Sequence, residues 1–169
     1  AGQRDEALGG SAAYFGVAAS HYAPVRVVAV VGADFPERHL ALFRDRGIDC
    51  AGLTTAEGRT FRWAGVYADD MNKRTTLRTE LNVFEGFHPE LPGSFLDSVC
   101  VFLANIDPGL QLEVLDQLDA PPLVVLDTMN YWITSARDSL LAVLRRVHIC
   151  LRNDEEAQML TGADNVLKA

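Results

Sequence analysis

The stretch Val25-Arg26-Val27-Val28-Ala29-Val30-Val31-Gly32-Ala33-Asp34 decides the fold class. A β-branched run of this length reads as a buried strand, and it ends in turn residues. Pro36 then suits the first turn of a helix, where its missing N–H costs little, and Leu40 and Phe43 fall on one helical face before Gly47 closes it. The result is a strand-helix unit, and Ile48 to Leu53 leads out towards a further short strand.

Upstream of the strand stands Gly9-Gly10-Ser11-Ala12-Ala13-Tyr14-Phe15-Gly16-Val17-Ala18-Ala19-Ser20. Paired glycines allow a tight turn and close backbone approach, and the Ala-rich run favours a closely packed helix from about Ala12 to Ser20. Free N–H groups at such a helix start suit a polar or anionic ligand, while a plain loop-to-helix junction is the alternative.

Downstream, Phe61, Trp63 and Tyr67 share one face at period two, and Thr60, Arg62, Ala64 and Val66 share the other. Turn residues at Ala68-Asp69-Asp70-Met71-Asn72-Lys73 allow Arg74 to Thr79 to return as a second strand. A lone hairpin is not stable, so this one must rest on the body of the protein, a partner subunit or a ligand, as a decorated edge or as a lid. Phe84 to Pro92 reads as a loop.

Regular order resumes with a strand at Val99 to Ala104, a helix at Pro108 to Leu118, a strand at Leu123 to Leu126, a helix at Ser135 to Arg146 and a short strand at His148 to Leu151. Leu110, Val114, Leu115 and Leu118 on the first of these helices, and Leu140, Leu141 and Leu144 on the second, point inward by periodicity. Strands alternating with helices predict an α/β fold, doubly wound, with a mainly parallel sheet and helices on both faces.

Composition agrees with one domain that has a real core: 169 residues, 49% hydrophobic and 22% charged. A net charge of -8 with no dense basic stretch disfavours nucleic acid. The most apolar run is too short to span a bilayer, and the start lacks a signal peptide's apolar stretch. Cys50, Cys100 and Cys150 lack the spacing of a zinc or redox motif and read as reduced, mostly buried thiols of a cytoplasmic protein. The four histidines are scattered.

Ligands of such sheets bind outside the carboxyl ends of the strands. Asn105 and Asp107 follow one strand, Asp127 with Asn130 nearby follows the next, and Asn153 and Glu156 follow the last. Asn153-Asp154-Glu155-Glu156 is also a capping-box pattern, so helix capping and metal or phosphate work are both open to it.

In order, the double glycine and small-residue helix, Val31-Gly32-Ala33-Asp34, a helix ending in Arg46-Gly47-Ile48-Asp49, a hairpin, and Asn153-Asp154-Glu155-Glu156-Ala157-Gln158-Met159-Leu160-Thr161-Gly162 resemble the ribokinase-like (PfkB) family of sugar and nucleoside kinases. The resemblance covers nearly the whole chain. It implies a ribokinase-like sheet with a small β-hairpin lid at residues 59–79, which also serves a homodimer, within one truncated domain of residues 1–169.

By position it places Gly9 and Gly10 against the substrate, Asn105 and Asp107 among substrate-facing polar residues, Asp127 to Trp132 at the floor of the site, and Asn153 and Glu156 with Mg²⁺ through water. Arg74, next to the hairpin turn, becomes a contact to an acidic or hydroxyl-rich substrate. Tyr14 stands where the family often has Asn, and Asp34-Phe35-Pro36-Glu37 replaces Asp-x-x-Gly. Family members carry a later Gly-Ala-Gly-Asp segment that supplies the anion hole and the base. None occurs here, so the chain reads as an internal fragment with no catalytic residue of its own.

The expected function is ATP-dependent phosphorylation of a sugar hydroxyl, with ATP and Mg²⁺ as cofactors and a nucleoside as the alternative substrate. The chain is expected to be inactive alone. The rival reading is a ligand-binding or dimerising module without catalysis. A nicotinamide-binding domain is disfavoured, because no Gly-x-Gly-x-x-Gly follows a strand.

Overall fold

The computed structural model describes residues 4–67 and 74–169, the side chain of Arg74 excepted. Helix α1 (Ser11–Ala19) precedes strand β1 (Arg26–Gly32), helix α2 (Glu37–Asp45) and strand β2 (Asp49–Ala56). Strands β3 (Arg62–Tyr67) and β4 (Arg74–Glu80) follow, and two short 3₁₀ turns, Asn82–Phe84 and Gly93–Phe95, lead to β5 (Cys100–Leu103). Next come α3 (Pro108–Asp116), β6 (Leu123–Asp127), α4 (Asn130–Ser135), α5 (Arg137–Leu144), β7 (Ile149–Leu151) and α6 (Asp154–Thr161).

Among the described residues the parallel strands form two sheets, β1-β2 and β5-β6-β7, with every pairing in each parallel. Parallel pairs need long crossovers, and helices supply most of these connections. Several contacts bring the two sheets together. Phe15 on α1 stacks on Phe102 of β5 with ring centroids 3.9 Å apart, Gly52 of β2 approaches the Phe95 ring, and Arg26 of β1 pairs with Asp97 at 2.5 Å.

The core gathers under the second sheet. Leu126, Leu140 and Val143 are completely buried there, with Leu103, Leu115, Val124, Ile133 and Leu160 around them. Burial of this apolar surface is the main force holding α3, α4, α5 and α6 to the strands.

Two elements differ from the sequence reading. The helix expected at Ser135 to Arg146 is α5, and a further short helix, α4, stands directly before it, the two separated at Ala136 (φ -137°, ψ 38°). The earlier one, α4, is anchored by buried Ile133 and by Trp132, a tertiary contact that periodicity does not register. Strand β2 runs on to Ala56, well past Leu53, because β1 offers it a ladder up to Gly32. The cysteines, expected to be mostly buried, are not: Cys100 is exposed at the start of β5, and Cys50 and Cys150 are only half-buried.

The hairpin is antiparallel as expected, with its register shifted between Ala64 and Gly65. Among the described residues its apolar side chains are largely uncovered: Trp63, Val66, Tyr67 and Leu77 are exposed, and Phe61 meets Phe84 edge-on with centroids 6.0 Å apart. The turn Asp70-Met71-Asn72-Lys73 lies outside the described residues.

Candidate functional site

Polar residues at the carboxyl ends of β5, β6 and β7 converge on one open cavity of about 460 Å³, lined by Asn105, Asp127, Thr128, Met129, Leu151, Arg152, Asn153 and Glu156. The convergence follows from topology, since three parallel strands in register deliver their ends to the same edge of the sheet. Buried Gln111 on α3 braces that edge, its amide donating to Ala104 O at 2.8 Å and to Asp127 O at 3.3 Å.

The double glycine is brought to this edge indirectly. Ser11 Oγ accepts from the backbone N–H of Asn105 at 2.8 Å, so the start of α1 is pinned to the end of β5. Gly10 precedes the helix at φ +92°, a conformation that L side chains rarely adopt, and a Cβ at Gly9 or Gly10 would meet nothing within 4 Å. The glycines therefore face open space. Tyr14, one turn further on, is 70% exposed, and its N–H bonds to Gly10 O at 3.2 Å.

Asn105 is held from a second side, since its Oδ1 accepts from Trp132 Nε1 at 3.0 Å. That bond fixes which way its amide points. Asp107 acts locally, because its carboxylate accepts from Gly109 N at 2.7 Å and caps α3, and it does not line the cavity. Asp127 does line it, half-buried at the end of β6. Arg74 is the first residue of β4, opposite Tyr67, and its side chain lies outside the described residues.

Asn153 and Glu156 make both halves of a capping box: Asn153 Oδ1 accepts from Glu156 N at 2.9 Å, and Glu156 Oε2 accepts from Asn153 N at 3.0 Å. The pair is thus committed structurally while still lining the cavity, with Glu156 only 7% exposed. Among the described residues no group of three or more His, Cys, Asp or Glu side chains forms a cage for an ion.

Sequence reading missed Arg152, while Thr128 lies in the Asp127 to Trp132 segment that the resemblance put at the floor of the site. Arg152 brings a cation to a cavity whose other charged groups are the Asp127 and Glu156 carboxylates, and its position directly before Asn153 was the one signal for it. Thr128 is 4% exposed and its hydroxyl has no hydrogen-bond partner among the described residues. The carbonyl oxygen of the Gln111 side chain is likewise unpaired among them.

Fold and site together define a doubly wound α/β chain with an open polar cavity at the carboxyl ends of its parallel strands. Comparison with known proteins narrows this to the ribokinase-like (PfkB) fold, as the motif order implied. No family model matches the chain. It is 30% identical over 173 residues to a cytidine kinase of Thermococcus kodakarensis, covering 99% of this chain and 61% of that protein.

In structure it resembles the nucleoside kinase of Methanocaldococcus jannaschii, an archaeal member of the ribokinase family, with TM-score 0.71 and 18% identity over 91% of this chain and 52% of that one. It also resembles an Escherichia coli protein assigned as ribokinase II, in complex with ATP and Mg²⁺, with TM-score 0.74 and 14% identity over 95% and 56% of the two chains. The chain spans about six-tenths of the curated relative and little more than half of these structures. Among the described residues no helix is long and apolar enough to cross a membrane.

Proposed function

We propose that the protein to which this chain belongs phosphorylates a hydroxyl of a sugar or nucleoside with ATP and Mg²⁺, and that residues 1–169 form its substrate side. One observation carries the reading: Asn105, Asp127, Asn153 and Glu156 share a cavity at the strand ends, and Ser11 ties the double glycine to Asn105. Relatives named as kinases of nucleosides support the same reaction class.

Phosphoryl transfer depends mainly on positioning and on neutralising charge. Gly9 and Gly10 let the backbone approach a hydroxyl-rich substrate closely. Asn105, oriented by Trp132, and Asp127 hydrogen-bond its hydroxyls. Arg152 offers a cation to phosphate oxygens, while Tyr14, Asp107 and Arg74 belong to the rim.

The oxygen-rich lining fits Mg²⁺, a hard cation that keeps most of its waters and takes one or two protein carboxylates. Glu156 and Asn153 would hold it through water, and when bound it neutralises charge on the phosphoryl group. No Gly-Ala-Gly-Asp segment occurs within residues 1–169, so this chain is proposed to bind substrate without turning it over.

A nucleoside acceptor is favoured by one feature. The exposed Tyr14 ring stands one helical turn from Gly10, where a base can stack on it. The exposed apolar residues of the hairpin are proposed to be covered by a second copy.

Calorimetry of the 169-residue chain with cytidine, adenosine, ribose and fructose, with and without MgATP, tests the reading. Saturable binding of one of these and no ADP release is the expected result. Binding of none removes the substrate assignment, turnover removes the division of labour, and substrate binding by a full-length protein that never forms ADP favours the non-catalytic module.

A further inference from the structure

Both strands of the hairpin root in one polar knot at the end of β1. The backbone N–H of Ala33 donates to Gly58 O and that of Val83 to Arg59 O, each at 3.1 Å, so the chain entering β3 and the chain leaving β4 are tied together there. Thr60 lies at the centre. Its hydroxyl accepts from Gly32 N at 3.0 Å and donates to Asp34 Oδ1 at 2.7 Å, and its own N–H reaches the same oxygen at 2.6 Å.

Arg62 adds a link that leaves the knot. One arm of its guanidinium donates to Asp34 Oδ2 at 3.1 Å, and the other stands 3.6 Å from Glu6 Oε1. Glu6 lies three residues before Gly9, and its carbonyl oxygen accepts from Arg38 of α2 at 3.2 Å. The segment leading to the double glycine is therefore gripped from the hairpin by Arg62 and from the body by Arg38.

We infer that Arg62 is a positioning residue that couples the hairpin to the Gly9–Gly10 segment, through Asp34 on one side and Glu6 on the other. An isolated exposed ion pair would contribute little. Here a single planar guanidinium serves two carboxylates, one of them already held by Thr60, and such shared networks are where coupling appears. The hairpin's orientation and the glycine segment then move as one unit. What that does to a ligand rests on the proposed role of Gly9 and Gly10; the coupling itself does not.

Amide hydrogen exchange on the ligand-free 169-residue chain tests the coupling. Glu6→Gln is the informative variant, because Glu6 is outside the hairpin, its side chain is 58% exposed and its loss should not prevent folding. Amides of β3 and β4 should exchange about threefold to tenfold faster in E6Q, with β5 to β7 unchanged. In R62Q both the hairpin and residues 7–12 should loosen, and E6Q/R62Q should match R62Q alone.

R62K, which keeps the charge but loses the two-armed fork, should lie between wild type and R62Q. Unchanged hairpin exchange in E6Q, or additive effects in the double variant, would overturn the coupling. Cytidine titration adds a separate arm in which E6Q weakens binding severalfold. If cytidine does not bind wild type, that result counts against the substrate reading, and the exchange data still decide the coupling.

Discussion

Replacing Glu156 separates its two assigned duties. In Glu156→Ala the N–H of Asn153 loses its acceptor at 3.0 Å, and a side chain only 7% exposed is deleted. Losing the cap should cost about 1 kcal/mol, and the unpaired donor with the small void about 1 to 2 kcal/mol more. Asp154 and Glu155 remain in the first turn of α6, so the helix dipole keeps acidic partners.

Glu156→Gln retains an oxygen in the same place and should cost only about 0.5 kcal/mol, the contribution of one charge near the helix start. Urea unfolding followed by circular dichroism measures both differences. In the full-length protein, E156Q should also weaken Mg²⁺-dependent turnover about 10- to 100-fold, as for residues that orient a metal's surroundings. If E156Q is as unstable as E156A, charge and not bond geometry carries the cap. If E156Q keeps full Mg²⁺ dependence, the metal role falls and Glu156 is a capping residue alone.

Other measurements bear on the hairpin root and the thiols. Gly32→Ala puts a Cβ 2.5 Å from Gly58 O, Arg59 C and Thr60 N, all backbone, so a loss of about 1 to 3 kcal/mol in urea unfolding is expected, and wild-type stability would contradict the close approach. The Asp34 carboxyl is lowered to about 2, chiefly by the N–H and hydroxyl of Thr60, with Arg62 adding to it against a burial cost. A lowered carboxyl stabilises the fold above its unfolded pKa, so acid titration should remove about 1 kcal/mol, after allowance for solvent screening, between about pH 4 and pH 2, and Asp34→Asn should abolish that step. Burial pushes the Cys50 and Cys150 thiols up while Cys100 is exposed, so a thiol reagent at neutral pH should label Cys100 first, as read by peptide mass.

The strands and their order were legible in the sequence because a β-branched run such as Val27 to Val31 carries a strong local signal, and the Gly10 turn and the α6 cap are written in neighbouring residues. Helix α4 was not legible, since its six residues are too short to show a period and its Trp132 is held by Asn105, 27 positions away. Alternation in the hairpin predicted a half-buried face, yet alternation records only which side chains share a face. Coverage of that face is decided by what packs on it.

The candidate site divides along the same line. Asn105, Asp127, Asn153 and Glu156 could be picked out one by one, because each follows a recognisable strand and parallel strands end on a common edge. Asp107 could be picked out equally well, and the structure gives it to the cap of α3. Arg152 and the bridge from Glu6 through Arg62 to Asp34 carried no local pattern. Sequence alone determined most of the secondary elements, their α/β order and the polar residues at the strand ends, since those depend on residues within a few positions of one another. Only the tertiary structure decided which polar groups share the cavity, which are taken up by caps, and which side chain joins the hairpin to the glycine segment, because those contacts form between residues far apart in the chain.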